Sequence, residues 1–233
     1  MLCYFCPVFN PHLRLPLIKL IIALSYSSFG AWGKGLSTRK FRTIKPEIRV
    51  LGVDDGPFTP HQGYAPVVGV IFRGGYWLDG VLSTKIKVDG FDATDRISSM
   101  ILESAHYRQV RVIMLDGVTF GGFNIVNIKR LNALTKLPVM VVTRDRPDFT
   151  EIHAALEHLP RSAERWKAVQ NAGELFVVQT KSRGGKIYLE ICGIQESDAR
   201  RIVQLTSTRS NIPEPLRVAH LIASGTCQFN LNI

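Results

Sequence analysis

The chain has 233 residues, 45% of them hydrophobic, enough for one sizeable α/β core but marginal for two full domains. A formal net charge of +10, from 29 Lys plus Arg against 19 Asp plus Glu, favours an anionic partner such as nucleic acid. Cys3, Cys6, Cys192 and Cys227 are too few and too scattered for a disulfide scaffold, and the lone C-x-x-C of Cys3 and Cys6 lacks the second pair that a structural zinc site needs, so a reducing, cytoplasmic compartment is expected.

Residues 1–40 carry Arg14, Lys19, Lys34, Arg39 and Lys40 and no acid, so half of the charge excess sits there and the rest of the chain is only mildly basic. Leu13 to Trp32 is apolar-rich but interrupted by Arg14, Pro16 and Lys19, and its longest clean run, Leu20 to Tyr26, falls far short of the ~20 residues that span a bilayer. No stable membrane association is expected. Ile18–Leu24 resembles a short signal h-region, but strong globular patterning begins only at Ile44, which favours a start placed upstream of the domain. The expected division is an N-terminal extension over 1–43, disordered or the product of that upstream start, and a folded domain over 44–233.

Ile48 to Val53 is a short, apolar, β-branched run stopped by Asp54-Asp55-Gly56-Pro57, which predicts a buried first strand with acids at its C-terminal end. Pro66–Arg73 and Tyr76–Val88 predict two more strands joined by a Gly74-Gly75 hairpin turn, completing an antiparallel meander. The period then changes: Ile97, Met100, Ile101 and Ala105 share one face of a helix over about 93–106, with Asp92 as N-cap and Asp95 in the first turn.

Val110–Leu115 is a continuous apolar strand ending at Asp116-Gly117, and Ile125, Ile128, Leu131 and Leu134 predict a helix opened by Gly121-Gly122. Pro138–Thr143 closes a β-α-β-α-β unit, whose strand–helix alternation implies parallel pairing. Asp148 can cap a helix through His158, Arg161–Asn171 is helical, Leu175–Gln179 and Lys186–Cys192 pair as strands, and 198–205 and 215–224 supply two last helices. The result is a mixed five-stranded central sheet, three strands antiparallel and two parallel, flanked by helices, the order found in ribonuclease H-like nucleases.

Two strands expected to be neighbours both end in Asp followed closely by Gly, at Asp54 and at Asp116. Carboxylates at the ends of adjacent apolar strands converge, and their burial is costly unless a cation lies between them. Mg²⁺ takes oxygen ligands of this kind together with substrate phosphate. Turn chemistry explains one Asp-Gly as well as a ligand does; two on adjacent strands favour the ligand. A third acid can come from Asp89, Asp92 or Asp95. Asp92 and Asp95 have helix-start roles of their own, which leaves Asp89 the less compromised.

Gly121-Gly122-Phe123-Asn124 offers amides to a phosphate only if it opens the helix. His220, among Val218, Leu221 and Ile222, reads by itself as structural, and His61, His106, His153 and His158 lack metal-ligand spacing. Arg73, Lys85, Lys87, Arg144, Arg146, Lys181, Arg183 and Lys186 flank strand ends where a phosphate backbone can be tracked. Tyr64 and Tyr76 are placed for stacking or packing, and Trp77 for packing on the sheet.

The stretches Arg49–Phe58, Val88–Asp95, Ile113–Gly117, Gly122–Asn124 and Pro213–Ala223 resemble the archaeal family called endonuclease dU, over about Ile44 to Ser224. That family is similar to endonuclease V, which shares a Gly-Val-Asp, an Asp-Gly and a Pro-Glu-Pro-x-Arg-x-Ala segment. The resemblance implies a ribonuclease H-like fold in which acids hold Mg²⁺ or Mn²⁺, with Asp54 and Asp116 at two ligand positions and His220 where some endonuclease V sequences place a site residue. Endonuclease V carries a Glu where this chain offers Asp89 or Asp92, and its Pro-Tyr-Ile-Pro wedge is missing here. The implied partner is DNA containing a deaminated base, with deoxyuridine as the lesion.

The expected activity is therefore metal-dependent cleavage beside a deaminated base, with Asp54 and Asp116 as ligands, Asp89 or Asp92 completing the shell, and the lesion base flipped out. The alternatives are action on deoxyinosine or inosine, and a non-catalytic module that binds nucleic acid through its basic surface alone.

Overall fold

A computed structural model of the chain describes residues 41–59, 63–180 and 185–226. The extension before Phe41, the Cys3–Cys6 pair, His61, Lys181 and Arg183 lie outside these residues. No helix among the described residues is long and apolar enough to cross a membrane.

Strands β1 (Arg49–Asp55), β2 (Tyr64–Arg73) and β3 (Trp77–Lys87) form the antiparallel meander. Helix α1 (Ala93–Leu102) follows, then β4 (Val112–Asp116), a two-stranded hairpin of β5 (Thr119–Phe120) and β6 (Asn124–Ile125), α2 (Ile128–Thr135) and β7 (Val139–Thr143). The chain continues through α3 (Phe149–Glu157), α4 (Ser162–Gln170), β8 (Phe176–Gln179), β9 (Lys186–Cys192), α5 (Glu196–Thr206) and α6 (Glu214–Thr226).

The main sheet runs β3-β2-β1-β4-β7-β9-β8, with β1, β4 and β7 parallel. Its first five strands are the expected ribonuclease H-like arrangement. The sheet has seven strands rather than five, because β9 pairs antiparallel with β7 from Val139↔Cys192 to Thr143↔Tyr188 and β8 pairs with β9. The pair read as separate thus satisfies backbone groups that β7 would otherwise leave open at the sheet edge.

Alternation along the central strands sends side chains to two cores. Leu51, Val53, Ile113, Leu115, Val139 and Val141 meet Ile97 and Ile101 of α1 and Ile128 and Leu131 of α2. On the other face Val50, Val112, Met114, Met140 and Val142 meet Ala199, Ile202 and Val203 of α5 and Leu216 of α6. Ala219 and Ala223 of α6 cover Val68, Val70 and Phe72 of β2.

Three local expectations are corrected. Helix α1 stops at Leu102, and Asp92 occupies its N-cap position without a side-chain cap bond. The buried Asn124 caps it instead, its Oδ1 accepting from Ala93 N at 3.0 Å, while its Nδ2 donates to Lys87 O and to Asp92 Oδ1. Gly121-Gly122 does not open a helix; both residues have positive φ and turn the β5–β6 hairpin, and α2 begins later, capped by Asn127. Trp77 is 60% exposed rather than packed on the sheet.

Candidate metal centre

Asp54 lies at the end of β1 and Asp116 at the end of β4, on strands in parallel register through Val53↔Leu115. Both side chains point to the face that carries α6, since each is offset by an even number of residues from Val50 or Met114, whose side chains lie on that face. His220 projects from α6. One ligand atom from each of the three lies within 4.8 Å of the others.

The approach of α6 depends on Gly52. A Cβ there would fall inside van der Waals contact of the Pro215 carbonyl, so only glycine lets the helix start sit this close to β1. The start itself is braced: Glu214, 2% exposed, accepts from Arg217 at 2.7 to 3.1 Å through both carboxylate oxygens. A buried carboxylate needs such a partner, which gives the Pro-Glu-Pro-x-Arg segment a physical role as the seat of the helix. One turn beyond Leu216, His220 Nδ1 reaches Asp54 Oδ2 at 2.9 Å.

The electrostatics of the group are compatible with a bound cation. Burial raises the pKa of Asp54, the charge of Asp116 raises it further, and the hydrogen bond with His220 opposes them. Burial likewise raises Asp116, against Arg144 and His220. The donor set fits a hard divalent ion: two carboxylates supply oxygen ligands, and the neighbouring imidazole suits Mn²⁺ better than Mg²⁺.

Asp89 and Asp92 are not brought to this group. Asp89 has a left-handed backbone, φ 49°, and its Oδ1 accepts from Phe123 N at 2.8 Å while its amide donates to Gly121 O at 2.9 Å. Asp92 Oδ1 is held by Asn124 and by Lys87 N, and Asp95 pairs with Arg130 at 2.7 Å. These acids organise the β5–β6 hairpin and the starts of α1 and α2. Asp55, not singled out from the sequence, joins them: it accepts from Gly121 N at 2.8 Å and links the end of β1 to the same hairpin.

Arg165 is a second residue that periodicity does not reveal. It is 3% exposed, stacks 4.1 Å above the Phe91 ring and donates to the carbonyls of Asp89, Gly90, Phe123 and Pro160. One guanidinium from α4 thereby clamps the Asp89 turn to β6. Of the basic residues placed along strand ends, Arg73 is committed to Asp79 at 2.9 Å.

The family model described as Endonuclease dU matches residues 46–227. A UPF0215 protein of Methanosarcina acetivorans is 53% identical over 78% of this chain and 92% of its own length, and one of Methanothermobacter thermautotrophicus is 50% identical over 82% and 93%. A solved structure of a protein of unknown function from Archaeoglobus fulgidus is 40% identical, covering 76% of this chain and 97% of that one, with a TM-score of 0.69. Endonuclease V of Ciona intestinalis, solved with a 24mer DNA containing an inosine followed by a ribo-adenosine, shares the fold at 15% identity and a TM-score of 0.52, over 78% of this chain and 86% of that one.

Proposed function

Because the chain belongs to the endonuclease dU family, we propose that it is a metal-dependent endonuclease that cuts DNA at deaminated bases, with deoxyuridine as the preferred lesion. The observation that carries this reading is the convergence of Asp54, Asp116 and His220 within 4.8 Å at the ends of two adjacent parallel strands. Their raised carboxylate pKa values mark negative charge that the protein leaves for a cation to balance.

Asp54 and Asp116 are the metal ligands in this proposal. A bound Mg²⁺ or Mn²⁺ supplies charge neutralisation at the scissile phosphate and lowers the pKa of a nucleophilic water. The bond to Asp54 occupies Nδ1 of His220 and orients the ring. That leaves Nε2, on a side chain 51% exposed, as the atom that exchanges a proton with substrate or water. Asp89 and Asp92 act at one remove, by holding the hairpin that follows Asp116. Arg144, close enough to influence Asp116, would meet a phosphate oxygen of the substrate in this reading.

The test is cleavage of labelled duplexes carrying one deoxyuridine, one deoxyinosine or no lesion, with Mg²⁺, Mn²⁺ or chelator. A metal-dependent nick in the deoxyuridine strand alone supports the reading. A nick only at deoxyinosine moves the activity to that of endonuclease V. Salt-sensitive binding without product under either metal leaves a non-catalytic nucleic-acid-binding module.

A further inference from the structure

The antiparallel pair β2–β3 extends past β1 at the end of the sheet where Asp54 lies. Asp54 stands opposite Val68, whereas β2 reaches back to Pro66 and Tyr64, which pair with Lys85 and Lys87 of β3. Alternation assigns two faces to this ribbon. Ala65 and Ile86 are buried in the core beneath α1, and a Cβ on Gly121 of the β5–β6 turn would meet them at 3.0 and 3.1 Å. Tyr64, Pro66, Lys85 and Lys87 therefore share the other face with Val68, the face on which α6 packs and His220 meets Asp54.

That outer face is open and basic. Tyr64 is 49% exposed, both lysines are exposed, and no acid among the described residues pairs with either lysine. The opposite side of the same two strands is held by the core, so the lysines rise from a backbone of fixed spacing.

Register converts to distance. Strands lie about 4.8 Å apart and rise about 3.4 Å per residue, which sets Lys85 Cα roughly 12 Å from Asp54 Cα and Lys87 Cα roughly 17 Å. A nucleotide takes about 3.4 Å along a duplex axis, so the lysines fall beside phosphates roughly three to five base pairs from one held at Asp54.

We propose that the outer face of the β2–β3 ribbon seats one arm of the DNA duplex, on one side of the cut, with Lys85 and Lys87 on phosphates and the Tyr64 hydroxyl donating to a phosphate oxygen. This rests on the nuclease reading above and says on which side of the metal centre the substrate lies. Contacts of this kind fix register and orientation without reading sequence.

The experiment uses the full chain, with binding measured in chelator and cleavage in Mn²⁺, on deoxyuridine and undamaged duplexes. Lys85→Ala and Lys87→Ala should each lower the slope of log affinity against log salt by about one. The double variant should raise KM roughly tenfold, act on KM rather than kcat, and melt as the wild type does. Both duplexes should lose affinity by the same factor, and Tyr64→Phe should cost less than either lysine. Arg108→Ala removes an exposed cation that precedes β4, at the other end of the sheet, and should change neither slope nor KM. Duplexes shortened to about two base pairs on one side of the lesion or the other locate the arm, since that length falls short of the lysines. One shortening should reproduce the loss in the wild type, and on that duplex the lysine variants should bind as the wild type does. An unchanged salt slope in the double variant, or an equal deficit on both shortened duplexes, overturns the assignment while the nuclease reading stands. A wild type that binds through the lysines yet nicks no deaminated base keeps the ribbon as the DNA seat and overturns the nuclease reading instead.

Discussion

Asp54 and Asp116 differ from Asp89, Asp92 and Asp95 in where their carboxylates converge. Asp89, Asp92 and Asp95 have amide, side-chain or guanidinium donors, whereas Asp54 and Asp116 face each other across adjacent strand ends with an imidazole as the shared neighbour. Replacing Asp116 or Asp54 by Asn should lower metal-dependent cleavage by roughly 10³-fold or more, because the ion's charge is the largest stabilising influence at the phosphate. DNA binding in chelator should hold or tighten, since a negative charge has been removed. His220→Ala should cost roughly 10²–10⁴-fold in rate, the range for a proton-transfer group, with little change in affinity. Wild-type turnover by Asp116→Asn would remove the metal centre from the mechanism.

Glu190, buried on β9, makes a prediction that needs no substrate. Its folded pKa, about 7, is raised above the unfolded value of 4.5, so the folded state binds the proton more tightly than the unfolded chain does. That contribution is fully present below about pH 4.5 and is lost as pH rises through 7. Glu190→Gln, uncharged at every pH, should therefore unfold at higher denaturant than the wild type at pH 8 and lose the advantage at pH 5. The difference is on the order of 2–3 kcal/mol. Parallel unfolding curves for the two proteins at both pH values would show that Glu190 is not desolvated.

At the scale of elements, two contacts decide where the centre sits. Helix α6 reaches β1 only because Gly52 has no side chain, and it is this approach that sets His220 against Asp54. Gly52→Ala should displace the helix start, lower stability by about 1–3 kcal/mol as overpacking does, and cost activity beyond the loss of folded protein. The other contact is the Arg165 clamp on the carbonyls of Asp89, Gly90 and Phe123. Arg165→Met keeps much of the side-chain volume and deletes the donors. Amide exchange in β5–β6 and at residues 89–91 should then accelerate while the amides of β4 stay protected. Equal exchange in the two proteins would mean that the hairpin is held by Asp55 and Asp89 alone.

Across the whole molecule, the metal and the fold should be linked. If Asp54 and Asp116 hold the ion only when folded, saturating Mn²⁺ should raise the melting temperature of the wild type and leave Asp54→Asn or Asp116→Asn unmoved, with about 2.7 kcal/mol expected at a hundredfold excess over Kd. Binding to undamaged DNA should weaken with salt, but with a shallow slope, because half of the charge excess lies in residues 1–40 and the folded part is only mildly basic. A melting temperature that rises equally in the Asp variants would place the ion elsewhere.

Much of this architecture is local and therefore legible along the chain. Period-two and period-three-to-four patterns marked the meander, the alternating strands and helices, and the Asp148 cap, because side chains repeat where the backbone repeats. Asp54 and Asp116 stood out because an acid closing an apolar strand is expensive wherever the strand lies. The tertiary structure alone decided which acids converge on one point and which are spent on the β5–β6 hairpin and the helix starts. Asp89 and Asp92 look as available in sequence as Asp54, but Phe123 N and Asn124, more than thirty positions away, take up their lone pairs. His220 reads as a structural residue on its own helix until α6 crosses β1 at Gly52. Glu190 sits inside an apolar strand with nothing beside it in sequence to mark it, and its burial appears only when β9 is laid along β7. Hydrogen bonds and burial are made between strangers in the chain, which is why element types could be read one residue after another while the site could not.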